Sequence, residues 1–269
     1  AAGGSRLWLR SLDSTSSRPL TGTDNAYWPF WSADNRSVGF FADGKLKRID
    51  IDGGSVQTLA ATPRGGGGAW NRDGVILYSP APVSPILSIP ASGGQPAPVT
   101  RLDAARGGGG HAFPWFLPDG HHFLYYMQGV PEANGIYVGD INGSETRRIF
   151  DADSSAVFAP PGQLLFRRQG TLFAQNFDLK QLNVVGNPFA VAESVAIASA
   201  SDTGSIAYRT GSGSERQFVW MDRSGKELGR VANPDSGSPL DPSLSPDSRR
   251  VAVTRTISGN PDVWLLELE

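Results

Sequence analysis

Short apolar and aromatic runs alternate along the whole chain with clusters of Gly, Pro, Asp, Asn and Ser. No stretch keeps the 3.6-residue apolar stripe of an amphipathic helix. The pattern predicts short strands joined by tight turns, with no helix longer than about two turns. One turn signal recurs between such strands. Its copies are Trp31-Ser32-Ala33-Asp34-Asn35, Trp70-Asn71-Arg72-Asp73-Gly74, Phe116-Leu117-Pro118-Asp119-Gly120, Phe158-Ala159-Pro160-Pro161-Gly162, Ala200-Ser201-Asp202-Thr203-Gly204 and Leu244-Ser245-Pro246-Asp247-Ser248. Pro presets φ at the first turn position, Asp bonds back to nearby backbone, and Gly accepts positive φ. Taking Asp34, Asp73, Asp119, Pro161, Thr203 and Asp247 as equivalent gives spacings of 39, 46, 42, 42 and 44. A period near 42 that persists along a chain marks a repeat fold.

Each turn leads into a strand: Val38 to Phe41, Val75 to Tyr78, Phe123 to Tyr126, Leu164 to Phe166, Ile206 to Tyr208 and Val251 to Val253. A third strand follows, often closed by Gly53-Gly54, Gly93-Gly94 or Asn142-Gly143, the residues a tight hairpin demands. A weaker fourth strand completes the unit, as at Val56 to Leu59 and Val99 to Leu102. Four short antiparallel strands per repeat make one propeller blade. The expected fold is therefore all-β: a single-domain β-propeller of about six four-stranded blades around a central channel. The blades span about 23–62, 63–104, 105–151, 152–194, 195–233, and 234–269 completed by 5–22. Phe40, Tyr78, Tyr125, Phe166, Tyr208 and Trp264 are expected between blades. Closure does not count evenly, because Leu7 to Asp13 and Val263 to Leu268 both read as the third strand of the last blade. The C-terminal segment is expected to hold that slot and Arg18 to Thr21 a fourth-strand slot, leaving Leu7 to Asp13 at an edge, disordered, or paired with another molecule.

The turn followed by an apolar strand resembles the TolB-like, PD40 (WD40-like) propeller family over nearly the whole chain. Segments such as Phe30 to Gly44 and Ala69 to Leu77 are also similar to propeller regions that follow bacterial eukaryote-like Ser/Thr kinase domains. That resemblance implies an extracytoplasmic module, in the periplasm or cell envelope. The kinase signatures themselves are missing from this sequence. Copies four and five depart from the family turn, with Pro161 and Thr203 in place of Asp.

Composition narrows the chemistry. A formal charge of −2 gives no basic footprint for nucleic acid. Cysteine is absent, which excludes disulfides, thiolate metal sites and thiol nucleophiles and suits an oxidising compartment. No apolar run is long enough to span a bilayer. The sequence starts at Ala1 and ends on a strand, which reads as a domain cut from a longer repeat array.

Arg64-Gly65-Gly66-Gly67-Gly68 and Arg106-Gly107-Gly108-Gly109-Gly110 lie 42 residues apart, each just before a first strand. They read either as backbone nests with an Arg aimed at an anion, or as glycines that permit crowding near the axis. The second reading is favoured, since no helix follows as a phosphate loop requires. His111, His121 and His122 are the histidines, too scattered for a metal site. Trp28, Trp31, Trp70 and Trp115 offer an aromatic platform at the channel mouth, against the commoner fate of inter-blade packing. Asp50 with Asp52, and Asp151 with Asp153, are only fragments of a calcium loop. Ligand-binding candidates are Arg64, Arg106, His111, Trp28, Trp70 and Trp115, with no catalytic residue, metal or cofactor expected.

The leading reading is a non-catalytic sensor or interaction module of a larger bacterial envelope or kinase-linked protein. Its partner would be a protein or a small molecule, with no nucleic acid and no membrane insertion, and with self-association through a free strand edge. The alternatives are a propeller hydrolase or lyase of lactonase or cyclotransferase type with an axial site, and a structural fragment of a longer array.

Overall fold

The structure is a computed structural model that describes residues 5–10, 16–102, 109–143, 146–210, 216–221, 227–235, 240–244, 250–257 and 260–267, with side chains as far as Arg209. Regular elements among these residues are β-strands, and no helix interrupts them. The chain forms two compact units. One comprises Ala1–Arg168, Phe173–Phe189 and Ala200–Ile206, the other Gln169–Leu172, Ala190–Ser199 and Ala207–Glu269.

Four consecutive four-stranded sheets follow the repeat. The first is β3 (Tyr27–Trp31), β4 (Ser37–Ala42), β5 (Lys45–Asp50) and β6 (Gln57–Ala61), after a two-stranded ribbon of β1 (Trp8–Arg10) and β2 (Ser17–Pro19). The second is β7 (Gly68–Trp70), β8 (Val75–Tyr78), β9 (Leu87–Pro90) and β10 (Ala97–Pro98). The third is β11 (Gly110–Phe116), β12 (His122–Gln128), β13 (Gly135–Asp140) and β14 (Thr146–Phe150). The fourth is β15 (Ala156–Ala159), β16 (Gln163–Arg168), β17 (Thr171–Asp178) and β18 (Asn183–Ala192). Shorter sheets follow: β19 (Val195–Ala200) with β20 (Ile206–Thr210), β21 (Arg216–Met221) with β22 (Glu227–Asp235), and β23 (Leu240–Leu244), β24 (Arg250–Ile257) and β25 (Asn260–Glu267) in that order.

The recurring turn has one geometry in four copies. The N–H groups of Asn35, Gly74, Gly120 and Gly204 bond the carbonyls of Ser32, Asn71, Leu117 and Ser201, three residues back. Those same four residues hold φ of 59°, 76°, 75° and 85°. This is a type I turn closed by one left-handed residue, a common hairpin solution. The acidic residue acts where expected in two copies. Asp34 Oδ1 accepts the Arg36 N–H at 3.0 Å, and Asp119 Oδ1 accepts the N–H groups of His121 and His122 at 3.0 Å each. In the second copy Asn71, two residues earlier, does this work through its own Oδ1. Thr203 keeps the turn, with its hydroxyl 2.9 Å from that of Ser201. The fourth copy departs, with a cis Pro160–Pro161 bond and no left-handed residue at Gly162.

Second strands explain how the sheets stack. Successive side chains of a strand point to opposite faces, so a strand covered on both sides feeds two separate cores. Tyr78 and Ile76 pack with Phe41 and Leu46 of the first sheet, while Leu77 between them packs with Phe123 and Tyr125 of the third. Leu124 points the other way, into a cluster with Leu164, Phe166 and Phe177 of the fourth sheet. Tyr78, Tyr125 and Phe166 are thus buried between sheets as their spacing predicts.

Phe40 faces Leu20, Ala26 and Ile49, with Leu7 and Leu9 of the N-terminal segment packed alongside. Tyr208 is a correction, because 49% of it stays exposed, and the Trp264 side chain lies outside the described residues. At the termini, β23 to β25 form one three-stranded sheet as expected. Leu7 to Arg10 does not stand apart, however. It pairs with Ser17–Pro19 through Trp8↔Pro19, Leu9↔Arg18 and Arg10↔Ser17, because a short loop makes that local hairpin easy to close.

Candidate functional site

The first strands of the first three sheets share an irregularity. Trp28, Gly67 and Phe113 each lie six residues before the turn positions Asp34, Asp73 and Asp119, and each is left-handed, with φ of 47°, 83° and 52°. In β3 and β11 the ladder register slips there, between Tyr27 and Phe30 and between Ala112 and Trp115. Each slip is a β-bulge, a device that re-aims a side chain. Glycine accepts positive φ freely, whereas an L residue with a bulky side chain is held there at a cost of about 1–2 kcal/mol. The two aromatics meet edge to face, with ring centroids 4.9 Å apart. Gly67 makes this possible, because a Cβ there would come 2.6 Å from the Phe113 ring. The Phe113 N–H also bonds the Gly66 carbonyl at 2.7 Å, which ties β11 to the second sheet. Trp28 remains 41% exposed. The four first strands β3, β7, β11 and β15 read YWPFW, GAW, GHAFPWF and AVFA, with no Asp, Glu, Lys or Arg.

The first glycine run serves packing. Cβ atoms at Gly65 and Gly68 would sit 2.1 Å and 2.5 Å from the rings of Phe41 and Phe30. Its N–H groups are already committed: Arg64 to Pro80 O, Gly65 to the Tyr27 hydroxyl, and Gly66 to Ser79 O. No nest of free donors is left for an anion at those positions. The Arg64 side chain is exposed, while Arg106 lies outside the described residues. In the second run, a Cβ at Gly110 would fall 1.6 Å from the Pro82 carbonyl oxygen.

His111 is 2% exposed, and burial pulls its pKa down to about 4. Its ring leans on Tyr125 at 4.7 Å, and its Nδ1 lies 2.8 Å from the Thr100 hydroxyl. That hydroxyl also accepts the Ile86 N–H at 2.8 Å, and with its pKa near 4 the imidazole is neutral at pH 7. Trp70 is half-buried under the Arg48 guanidinium at 5.3 Å, and Trp115 packs against the core of the third and fourth sheets. The sequence candidates therefore separate: Trp28 is in the aromatic pair, His111, Trp70 and Trp115 are in packing, and Arg64 stands in solvent. Sequence reasoning missed Phe113, and it read Gly67 within its glycine run as permitting close packing, which the Phe113 ring bears out. The signal was present, since Trp28-Pro29-Phe30-Trp31 and Phe113-Pro114-Trp115-Phe116 repeat one aromatic-Pro pattern at one offset from the turn.

Elsewhere, His122 Nδ1 lies 2.5 Å from Asp119 Oδ2, so its partner is a carboxylate. Partial burial would raise the Asp119 pKa, but the His122 ring and the two backbone N–H groups outweigh it and hold it low. Asp50 accepts from Ser37 and Arg48, and Asp151 pairs with Arg148. Among the described residues no group of three or more His, Asp or Glu could hold a metal ion.

No protein-family model matches this sequence, and no curated protein matches it. Solved structures do. A putative TolB from Agrobacterium tumefaciens is 15% identical at a TM-score of 0.57, over 94% of this chain and 86% of that one. A gluconolactonase from Xanthomonas campestris is 15% identical at 0.56, over 91% and 86%. Regucalcin from A. tumefaciens, a calcium-binding protein, is 17% identical at 0.53, over 86% and 82%. The described residues do not fit a calcium site of the usual kind, which takes six or more oxygens with several carboxylates among them. The expectation of a non-catalytic module, with no enzyme activity, is corrected here. Gluconolactonase and regucalcin structures match nearly end to end, which fits the lactonase alternative better. In fold, this chain is a TolB-like β-propeller.

Proposed function

We propose that this chain is a propeller hydrolase of the lactonase kind, acting on a neutral cyclic ester. The observation that carries the reading is the uncharged, aromatic set of first strands, on a fold that a gluconolactonase shares at nearly full length. Binding sites for small molecules are mostly apolar with a few placed polar groups, and a lactone is a compact, uncharged ring that suits such a lining. In the reaction, water oxygen bonds to the ester carbonyl carbon and the ring C–O bond breaks. The former ring oxygen takes a proton, and the new carboxylic acid releases one to solvent near neutral pH. Likeness to TolB and the lack of cysteine support a place outside the cytoplasm.

The released proton supplies the assay. Purified protein is given a panel of sugar lactones at fixed pH, with and without added divalent cations, and base uptake is followed. Ring opening above the uncatalysed rate supports the reading. Background rates for the whole panel under both conditions would refute it.

A further inference from the structure

We infer that Trp28 and Phe113, meeting over Gly67, form a ledge that stacks against the ring of a neutral sugar or sugar lactone. The inference rests on the lactonase reading for its substrate class and deepens it by naming the ring-binding residues.

Three observations converge. First, equivalent positions in or just before three consecutive first strands are left-handed, yet only the middle one is glycine. The backbone bend belongs to the repeat, but Trp and Phe are not what the bend asks for. Strain of this kind persists where a side chain is needed for another purpose. Second, the three positions are complementary in size. The missing side chain at Gly67 lets the Phe113 ring cross the second sheet and meet the indole edge to face, leaving Trp28 41% exposed. Third, no charged residue occurs in β3, β7, β11 or β15, and the one histidine among them is buried and neutral. A carboxylated or phosphorylated ligand would find no counter-charge on these strands. Aromatic faces carry negative quadrupole density and attract polarised C–H edges, which the flat side of a pyranose ring presents.

The test separates stacking from scaffolding by substituting glycine, the residue that the backbone favours. Trp28→Gly removes the indole and relieves the φ of 47°. The probe is methyl β-glucoside, which is neutral and cannot be hydrolysed as a lactone, with glucuronate as its charged counterpart. Binding is read by saturation-transfer NMR and stability by thermal unfolding. The expected result is methyl glucoside binding that weakens about tenfold or more in Trp28→Gly, with an unchanged or higher melting temperature and no glucuronate binding. Binding within about twofold of wild type, preference for glucuronate, or a melting temperature lower by more than about 4 °C would overturn the ledge. The two readings fail separately. Indole-dependent glucoside binding without lactone turnover sinks the hydrolase and keeps the ledge, and turnover indifferent to Trp28 does the reverse.

Discussion

His111 shows how one buried side chain sets a pH response. Burial against Tyr125 lowers its pKa to about 4, while the unfolded chain titrates near 6.5. Below pH 6.5 the unfolded state takes a proton that the folded state refuses. Stability from this residue is therefore complete above about 6.5, declines from 6.5 toward 4, and changes no further below that. The shift is worth on the order of 3 kcal/mol across the window. His111→Gln, which keeps an amide beside Thr100, is expected to flatten the melting temperature between pH 4 and 6.5 relative to wild type. An equally steep profile in the variant would place the response elsewhere. Glycines sort by what surrounds them. Gly110 faces the Pro82 carbonyl at 1.6 Å from a built Cβ, whereas at Gly143 the nearest atom is 3.6 Å away. Backbone cannot swing aside as a side-chain tip can. Gly110→Ala is thus expected to cost about 3 kcal/mol, and Gly143→Ala less than about 1 kcal/mol, as read by urea unfolding.

At the scale of the element, the hairpin turn is the repeat's most regular device. Gly120 at φ 75° and Asn35 at φ 59° occupy the same slot. Gly120→Ala should cost about 1 kcal/mol, while Asn35→Gly should be neutral or slightly stabilising, because it relieves a left-handed side chain. Equal losses from both would show that contacts, not φ, govern the slot. This turn was legible in the sequence because Asp, Asn and Gly mark it chemically and because its period survives in every copy. The packing of Tyr78, Tyr125 and Phe166 was legible for a related reason, since second-strand aromatics recur five or six residues after the turn position. The bulges at Trp28 and Phe113 were not. Alternation counts one residue per position, and a bulge inserts an extra one, so it reverses which face each later residue meets. Tyr208 shares the five-residue offset of the buried Tyr78 and Phe166 yet is half exposed, because an offset fixes a place in the strand and not what covers it.

For the whole molecule, the fold followed from the repeat, but the function did not follow from the fold. A propeller presents the same scaffold to binding partners and substrates, so the site residues must decide. Here four first strands carry aromatic side chains and no Asp, Glu, Lys or Arg, and the proposal of a neutral ligand rests on that. The most direct test is a comparison of ring-opening rates for two lactones of one ring size, glucono-δ-lactone and a glucarolactone that carries an added carboxylate. The account predicts catalysed opening of the neutral lactone, with kcat/KM at least about tenfold above that for the charged one. Uncatalysed rates for both, or a preference for the charged ring, would contradict it.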